Sequence, residues 1–192
     1  LLFDRITKIK AVMKQYGEEN FYISFSGGKD STVLSYLIDL ALPDNKIPRV
    51  YANTGIEMNM IRDFVLDMQK KDDRIVIIKP SVPIKPTLEK YGYPFKSKKH
   101  SEALAIYQKY KTLEGRLGIQ HYLGVSEDGI SWSPITRCPE KLKFQFTPEY
   151  DLKVSDKCCL MMKERPLQNW SKENNKPYTL IGLMREEGGE KI

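Results

Sequence analysis

Ser26-Gly27-Gly28-Lys29-Asp30-Ser31 packs two glycines, a lysine, a carboxylate and two hydroxyls into six residues. An apolar run that includes Ser24 and Phe25 precedes it, and Val33, Leu34, Leu37, Ile38 and Leu42 follow on a helical stripe that Pro43 stops. A buried strand, a tight turn and a helix are therefore predicted. The first turn of a helix has N–H groups without intrahelical acceptors and a partial positive charge, and glycines let an anion come close to that backbone. Such a loop suits a phosphate. Lys29 adds a full charge, and Ser26 and Ser31 offer hydroxyl donors. Asp30 either caps N–H groups or holds a magnesium ion on the phosphates. The spacing is not that of the Walker loop, with its four residues between glycine and Gly-Lys-Ser/Thr, nor that of the dinucleotide GxGxxG turn.

Three further groups carry candidate chemistry. Asn53-Thr54-Gly55 follows a second apolar run and is predicted to turn at a strand end, beside the first loop. Arg185 follows the apolar stretch Tyr178 to Met184, which would deliver a guanidinium to the same edge as a clamp for phosphate or sulfate. Cys158 and Cys159 are adjacent, poorly placed to bridge each other, and flanked by Lys157 and Lys163, a setting that favours thiolate. They are read either as metal ligands or as buried, inert thiols. Cys138 could join them, and three cysteines with His100 or His121 would suffice for zinc on ligand counting alone.

These groups need a scaffold. A helix is expected over Asp4–Tyr16, strands over Phe21–Phe25, Arg49–Asn53 and Arg74–Pro80, and helices over Asp30–Leu42 and Met58–Lys71. Strands alternating with helices imply an α/β fold, a parallel sheet flanked by helices, with its ligands at the carboxyl ends of the strands. From about residue 81 to 156 the alternation fails, and one helix, Ser101–Leu113, stands in a stretch rich in Gly, Ser and Pro. The expectation is a single domain over 1–192 with an irregular insertion there, lying over the cleft.

The 192 residues are 41% hydrophobic, enough for a sizeable core, and carry a formal net charge of +6. A basic balance suits any anionic partner. Part of it lies in KYGYPFKSKKHSEALAIYQKYK, where six lysines alternate with four tyrosines and a phenylalanine. That pattern is either a solvated face or a surface that takes nucleic acid or flanks a nucleotide. No apolar run approaches the ~20 residues of a membrane span. With three cysteines and no signal-like start, a reducing, cytoplasmic setting is expected. The chain starts without Met and stops on EEGGEKI, so a longer natural protein is expected.

SGGKDS after a buried strand resembles the signature of the PP-loop ATP pyrophosphatases, of the adenine nucleotide alpha hydrolase-like fold. Within that superfamily the chain resembles the phosphoadenosine phosphosulfate (PAPS) reductase family. NTGIE, Asn53 to Glu57, is similar to that family's turn beside the adenosine. CCLMMKERPL, Cys158 to Leu167, is similar to its Cys-Cys-x-x-x-Lys-x-x-Pro-Leu element, and IGLMREEGG, Ile181 to Gly189, to its Gly-x-Arg strand end. The resemblance implies an adenine nucleotide (ATP, adenylyl sulfate or phosphoadenylyl sulfate) bound by Ser24 to Ser31, Asn53 to Gly55 and Arg185, with Lys29 and Arg185 acting on the anionic end. It implies a thiol reductant as partner, and half of a four-iron four-sulfur ligand set in Cys158 and Cys159; such a cluster takes four thiolates. Family members carry a further cysteine element near the C-terminus that is not in these residues, so either a C-terminal segment follows or the reaction differs. The alternatives are an ATP-dependent, magnesium-requiring adenylating enzyme of nucleic-acid sulfur modification, and a non-catalytic nucleotide-binding module.

Overall fold

The computed structural model describes residues 2–126, 128–130, 133 and 135–183. In chain order the elements are α1 (Leu2–Tyr16), β1 (Phe21–Ser24), α2 (Lys29–Ala41), β2 (Arg49–Ala52), α3 (Asn59–Gln69), β3 (Ile75–Ile78), α4 (Ile84–Tyr91), α5 (Lys98–Tyr110), α6 (Leu117–Leu123), α7 (Lys157–Cys159), α8 (Arg165–Glu173) and β4 (Tyr178–Leu180). Short 3-10 turns sit at Glu18–Asn20 and Glu140–Gln145, and a π-helical turn, Leu160–Glu164, joins α7 to α8. Two compact units result: Leu1–Pro83 with Met162–Ile192, and Ile84–Met161.

The first unit is built on a four-stranded sheet in the order β3-β2-β1-β4, with every pairing parallel. Ile23 pairs with Arg49 and Leu180, and Val50 with Val76. Apart from Ser24 and Arg49, β1 and β2 are apolar because neighbours cover both their faces: Phe21, Ile23, Val50 and Tyr51 are buried. Ile9 and Met13 of α1 and Leu34 and Ile38 of α2 pack against them. The chain runs outward from β1 through β2 to β3 and then returns to the other side of β1 as β4. Order therefore reverses between β1 and β4, and α/β sheets bind ligands outside the carboxyl ends of the strands at such a switch point.

The opposite, amino edge is tied by charge. Arg49, at the start of β2, is fully buried and donates to Ser35 Oγ (3.0 Å), Asn45 Oδ1 (2.9 Å), Asp39 Oδ1 (2.6 Å) and the Ile47 carbonyl. Arg74, just before β3, donates to Asp39 Oδ1 (2.8 Å) and Asp72 Oδ1 (2.8 Å). Burial pushes the Asp39 carboxyl up, but its bonds from Asn45 and Arg74 outweigh that and hold it below the usual carboxylate range. A buried guanidinium is tolerated here because its donors are met. The network fixes the bases of α2, β2 and β3, leaving the carboxyl edge to vary.

The second unit has its own core of Leu104, Tyr107, Ile119, Tyr122, Leu123, Cys138 and Phe146. Where periodicity predicts one helix, α4, α5 and α6 form, because short helices bury their faces against one another and leave weak stripes in the sequence. Inside this core His100 is fully buried, with Nδ1 2.9 Å from the Tyr122 hydroxyl and Nε2 2.7 Å from Gln145 Oε1. An amide oxygen only accepts, so Nε2 carries a proton, and burial, which lowers the ring's pKa, favours the neutral form.

Candidate functional site

β1 ends at Ser24 and the next four residues turn into α2. Phe25 drops its side chain into the core and donates its N–H to the Val50 carbonyl (2.9 Å), so only its backbone faces the edge. Gly27 has φ +73°, a conformation L side chains rarely adopt, and a Cβ there would stand 2.7 Å from Val65 Cγ2 and 2.9 Å from Ile61 Cγ2 of α3. Only glycine satisfies both conditions. Gly28, in extended conformation, is the N-cap of α2 and brings no side-chain cap.

The two serines brace this turn from within. The Ser31 hydroxyl donates to the Gly28 carbonyl (3.0 Å), accepts from Ser26 N–H (3.2 Å) and lies 3.1 Å from Ser26 Oγ. Ser26 Oγ in turn accepts from Gly28 N–H (3.3 Å), and Thr32 Oγ1 donates to the same Gly28 carbonyl (2.9 Å). These hydroxyls, read from sequence as ligand donors, spend their bonds holding the loop. The N–H groups of Lys29, Asp30 and Ser31 occupy the first turn of α2, where no intrahelical acceptor exists. Lys29 is exposed at that turn. Beside it, Gly27, Thr32, Val33, Met60 and Phe64 line an open depression of about 500 Å³. Val33, on the helical stripe of α2, and Phe64 of α3 are 55% and 41% exposed on this depression.

Asn53 N–H bonds to Ile78 O (2.9 Å), which sets the second turn at the end of β2, on the carboxyl edge. The Glu57 carboxylate organises that turn. It accepts from Thr54 Oγ1 (2.6 Å), from Thr54 N–H (3.1 Å) and from Gly55 N–H (3.1 Å), while Asn53 Oδ1 also accepts from Gly55 N–H (3.1 Å). Burial raises the Glu57 pKa, yet the bonds from Thr54 and the charge of Lys163 bring it below the usual value. Beneath it the buried Tyr51 hydroxyl finds no hydrogen-bond partner among the described residues. Sequence alone assigns Glu57 no role. Its place three residues after Thr54, in the turn just before α3, is the signal for it.

Gly182, two residues past β4, is likewise assigned no role by sequence. A Cβ there would lie 2.6 Å from the Asp30 carbonyl oxygen and 3.0 Å from Ser31 N, so the chain after β4 presses directly on the first turn of α2. This contact is made at the β1/β4 switch point. β4, predicted to continue to Met184, stops at Leu180, and Leu183 N–H turns back to Ile181 O (3.1 Å). Arg185 lies outside the described residues.

The cysteines do not come together. Cys138 is buried in the second unit's core, where burial pushes its thiol pKa up, and Cys158 and Cys159 stand on α7. Among the described residues no three His, Cys, Asp or Glu side chains form a group able to hold a metal. The zinc site counted from three cysteines with His100 or His121 is therefore not assembled: both histidines and Cys138 serve elsewhere, His121 in a pair with Asp128 (2.9 Å). A four-iron cluster needs four thiolates, and the described residues offer one adjacent pair. They do not fit that cluster by themselves. No helix of the described residues is long and apolar enough to cross a membrane.

The family model described as phosphoadenosine phosphosulfate reductase domain matches residues 20–122, just over half of the chain. The match takes in the glycine turn and the Asn53–Glu57 turn; Cys158, Cys159 and Arg185 lie beyond it. No curated protein and no solved structure matches. With its parallel α/β sheet and its glycine turn at the switch point, the chain belongs to the phosphoadenosine phosphosulfate reductase family, whose members bind adenine nucleotides.

Proposed function

We propose that the chain is an enzyme that binds adenylyl sulfate or phosphoadenylyl sulfate with the anionic end on the Gly27–Ser31 turn, the adenosine towards Asn53–Gly55, and Arg185 closing on the anion. One observation carries this reading: Gly27 bends the backbone so that the open first turn of α2 lies at the switch-point edge, where Gly182 packs against it. Lys29 and the N–H groups of that turn would meet the charge that develops on the nucleotide phosphate as its bond to the sulfo group breaks. Electrons come from a dithiol reductant. One thiolate attacks sulfur and expels the nucleotide with the bonding pair; the second thiolate then displaces sulfite and leaves a disulfide. The loop, Lys29 and Arg185 position the substrate and carry charge, and the redox chemistry belongs to the thiols.

A second reading has one observation in its favour: the unit that carries the loop contains no cysteine. The same turn would take the pyrophosphate end of ATP, with magnesium near Asp30, and adenylate an acceptor. Purified protein given adenylyl sulfate or phosphoadenylyl sulfate with dithiothreitol releases sulfite under the first reading alone. ATP, magnesium and candidate RNA or DNA release pyrophosphate under the second alone. Silence in both, with nucleotide binding retained, leaves a binding module. Under every one of these, Lys29→Ala weakens nucleotide binding about tenfold, the loss of one charge-assisted contact; unchanged affinity contradicts the site.

A further inference from the structure

Residues 84–161 hold thirteen Lys and Arg against nine Asp and Glu, four of the six net positive charges of the chain. The fold gathers part of this excess in one place. Lys109 and Lys111 from the end of α5 and Lys153 and Lys157 from the segment before and into α7 line a depression of about 470 Å³, with Tyr91 and Tyr150 in its wall and Asp151 as its only carboxylate. Among the described residues none of these four lysines makes an ion pair. The Tyr91 ring holds two ammonium groups, Lys90 Nζ at 5.3 Å and Lys157 Nζ at 5.7 Å from its centroid. Two cations on one ring repel each other, and an anion between them relieves that cost.

The cluster is built on fixed backbone. Tyr93 N–H bonds to Lys153 O (2.9 Å) and Ser155 N–H to Tyr93 O (3.0 Å). Gln108 grips both sides of Lys153, donating to Leu152 O (2.7 Å) and accepting from Val154 N–H (3.0 Å). The Lys153 ammonium also bonds to the Lys90 carbonyl. The charge continues along α5. The Arg116 guanidinium lies 3.6 Å from the centroid of the Tyr110 ring, and Lys109 Nζ lies 4.9 Å from it. Tyr110 and Arg116 line a second depression, of about 510 Å³. Cations in succession, interleaved with tyrosines of which Tyr110 is 44% exposed, match a linear ligand with repeating negative charge and flat rings.

We propose that this surface of the second unit binds single-stranded nucleic acid, with backbone phosphates on Lys109, Lys111 and Lys157 and bases stacked on Tyr110 and its neighbours. An unpaired strand exposes the base faces that a duplex hides, and an acidic peptide has none. The surface shares no residue with the glycine turn, so it stands whether or not the nucleotide reading does.

Fluorescence anisotropy of the full chain with a labelled mixed-sequence 12-nucleotide strand tests it. Neutralising three phosphates gives log K against log salt a slope of about −2 for a single strand. Lys111→Ala with Lys157→Ala lowers affinity tenfold or more and reduces the slope by about 1.4. Tyr110→Ser costs at least about fivefold with the slope unchanged. Lys29→Ala leaves strand binding as it was, which separates this site from the nucleotide site. Thermal melting confirms that each variant folds. Binding that is insensitive to the lysine pair overturns the proposal, as does equal affinity for polyglutamate, tighter binding of a duplex, or a loss of strand binding in Lys29→Ala.

Discussion

Replacing Gly27 by alanine adds one methyl group to the turn that the whole site depends on. At φ +73° an L residue pays about 1–2 kcal/mol for the left-handed conformation. The new Cβ would also stand 2.7 Å from Val65 Cγ2 and 2.9 Å from Ile61 Cγ2, and Val65 is fully buried, so α3 or the loop must shift at a further cost of about 1–3 kcal/mol. The variant should therefore lose about 2–5 kcal/mol and melt roughly 5 °C or more below the parent. Because the loop takes up part of the strain, the first-turn N–H groups leave their alignment, and the nucleotide dissociation constant should rise at least tenfold. Gly28→Ala supplies the contrast. Its backbone is extended at φ −82°, and its Cβ would meet only Ser26 Oγ at 3.3 Å, so the stability change should stay within about 1 kcal/mol. A methyl there still crowds an anion on the backbone, so binding should fall while melting holds. Calorimetric titration with adenylyl sulfate and a melting curve on the two variants read these effects separately. A Gly27→Ala protein as stable as Gly28→Ala, with parental affinity, refutes the reasoning.

Glu57→Gln removes the charge that three donors of the Asn53–Gly55 turn share. It should weaken nucleotide binding about three- to tenfold in the same titration, with the fold retained. Because the Glu57 carboxyl titrates below its usual value, the turn should keep its affinity in the parent down to about pH 5. His100 responds to acid in the second unit. Burial lowers its pKa, with Lys96 adding to the effect, and the Gln145 bond only partly offsets them. Its neutral form is the folded one, so its contribution to stability is fully present above the unfolded value of about 6.5 and is lost as pH falls below it. Melting followed from pH 7 to pH 5 should show the second unit losing stability, and His100→Gln should flatten that dependence.

Much of the fold was legible because each early strand is an apolar run between striped helices. β1, β2 and β3 fall within a residue or two of their predicted ends, and the parallel alternation fixes which edge collects the loops. The glycine turn was legible for the same local reason: six residues carry their own backbone requirements. What could not be read was tertiary. Val33 and Phe64 have core periodicity but lie beside the loop, where the sheet leaves them uncovered. Ser26 and Ser31 have the chemistry of ligand donors, and only the folded turn brings their hydroxyls onto each other. Arg49 reads as the first residue of a strand, and its burial depends on Ser35, Asp39 and Asn45 arriving together. The lysine cluster joins residues some fifty positions apart, through Gln108 and the Tyr93–Val154 pairing. Gly182 gave no sign in sequence of its contact with Asp30, since close approach of two backbones leaves only the missing side chain as a trace.

A crystal structure of the protein soaked with adenylyl sulfate tests the central claim most directly. The account predicts density for the anionic end within hydrogen-bond distance of the N–H groups from Gly27 to Ser31 and of Lys29 Nζ. An anion bound anywhere else, with that turn left empty at saturating ligand, would contradict it.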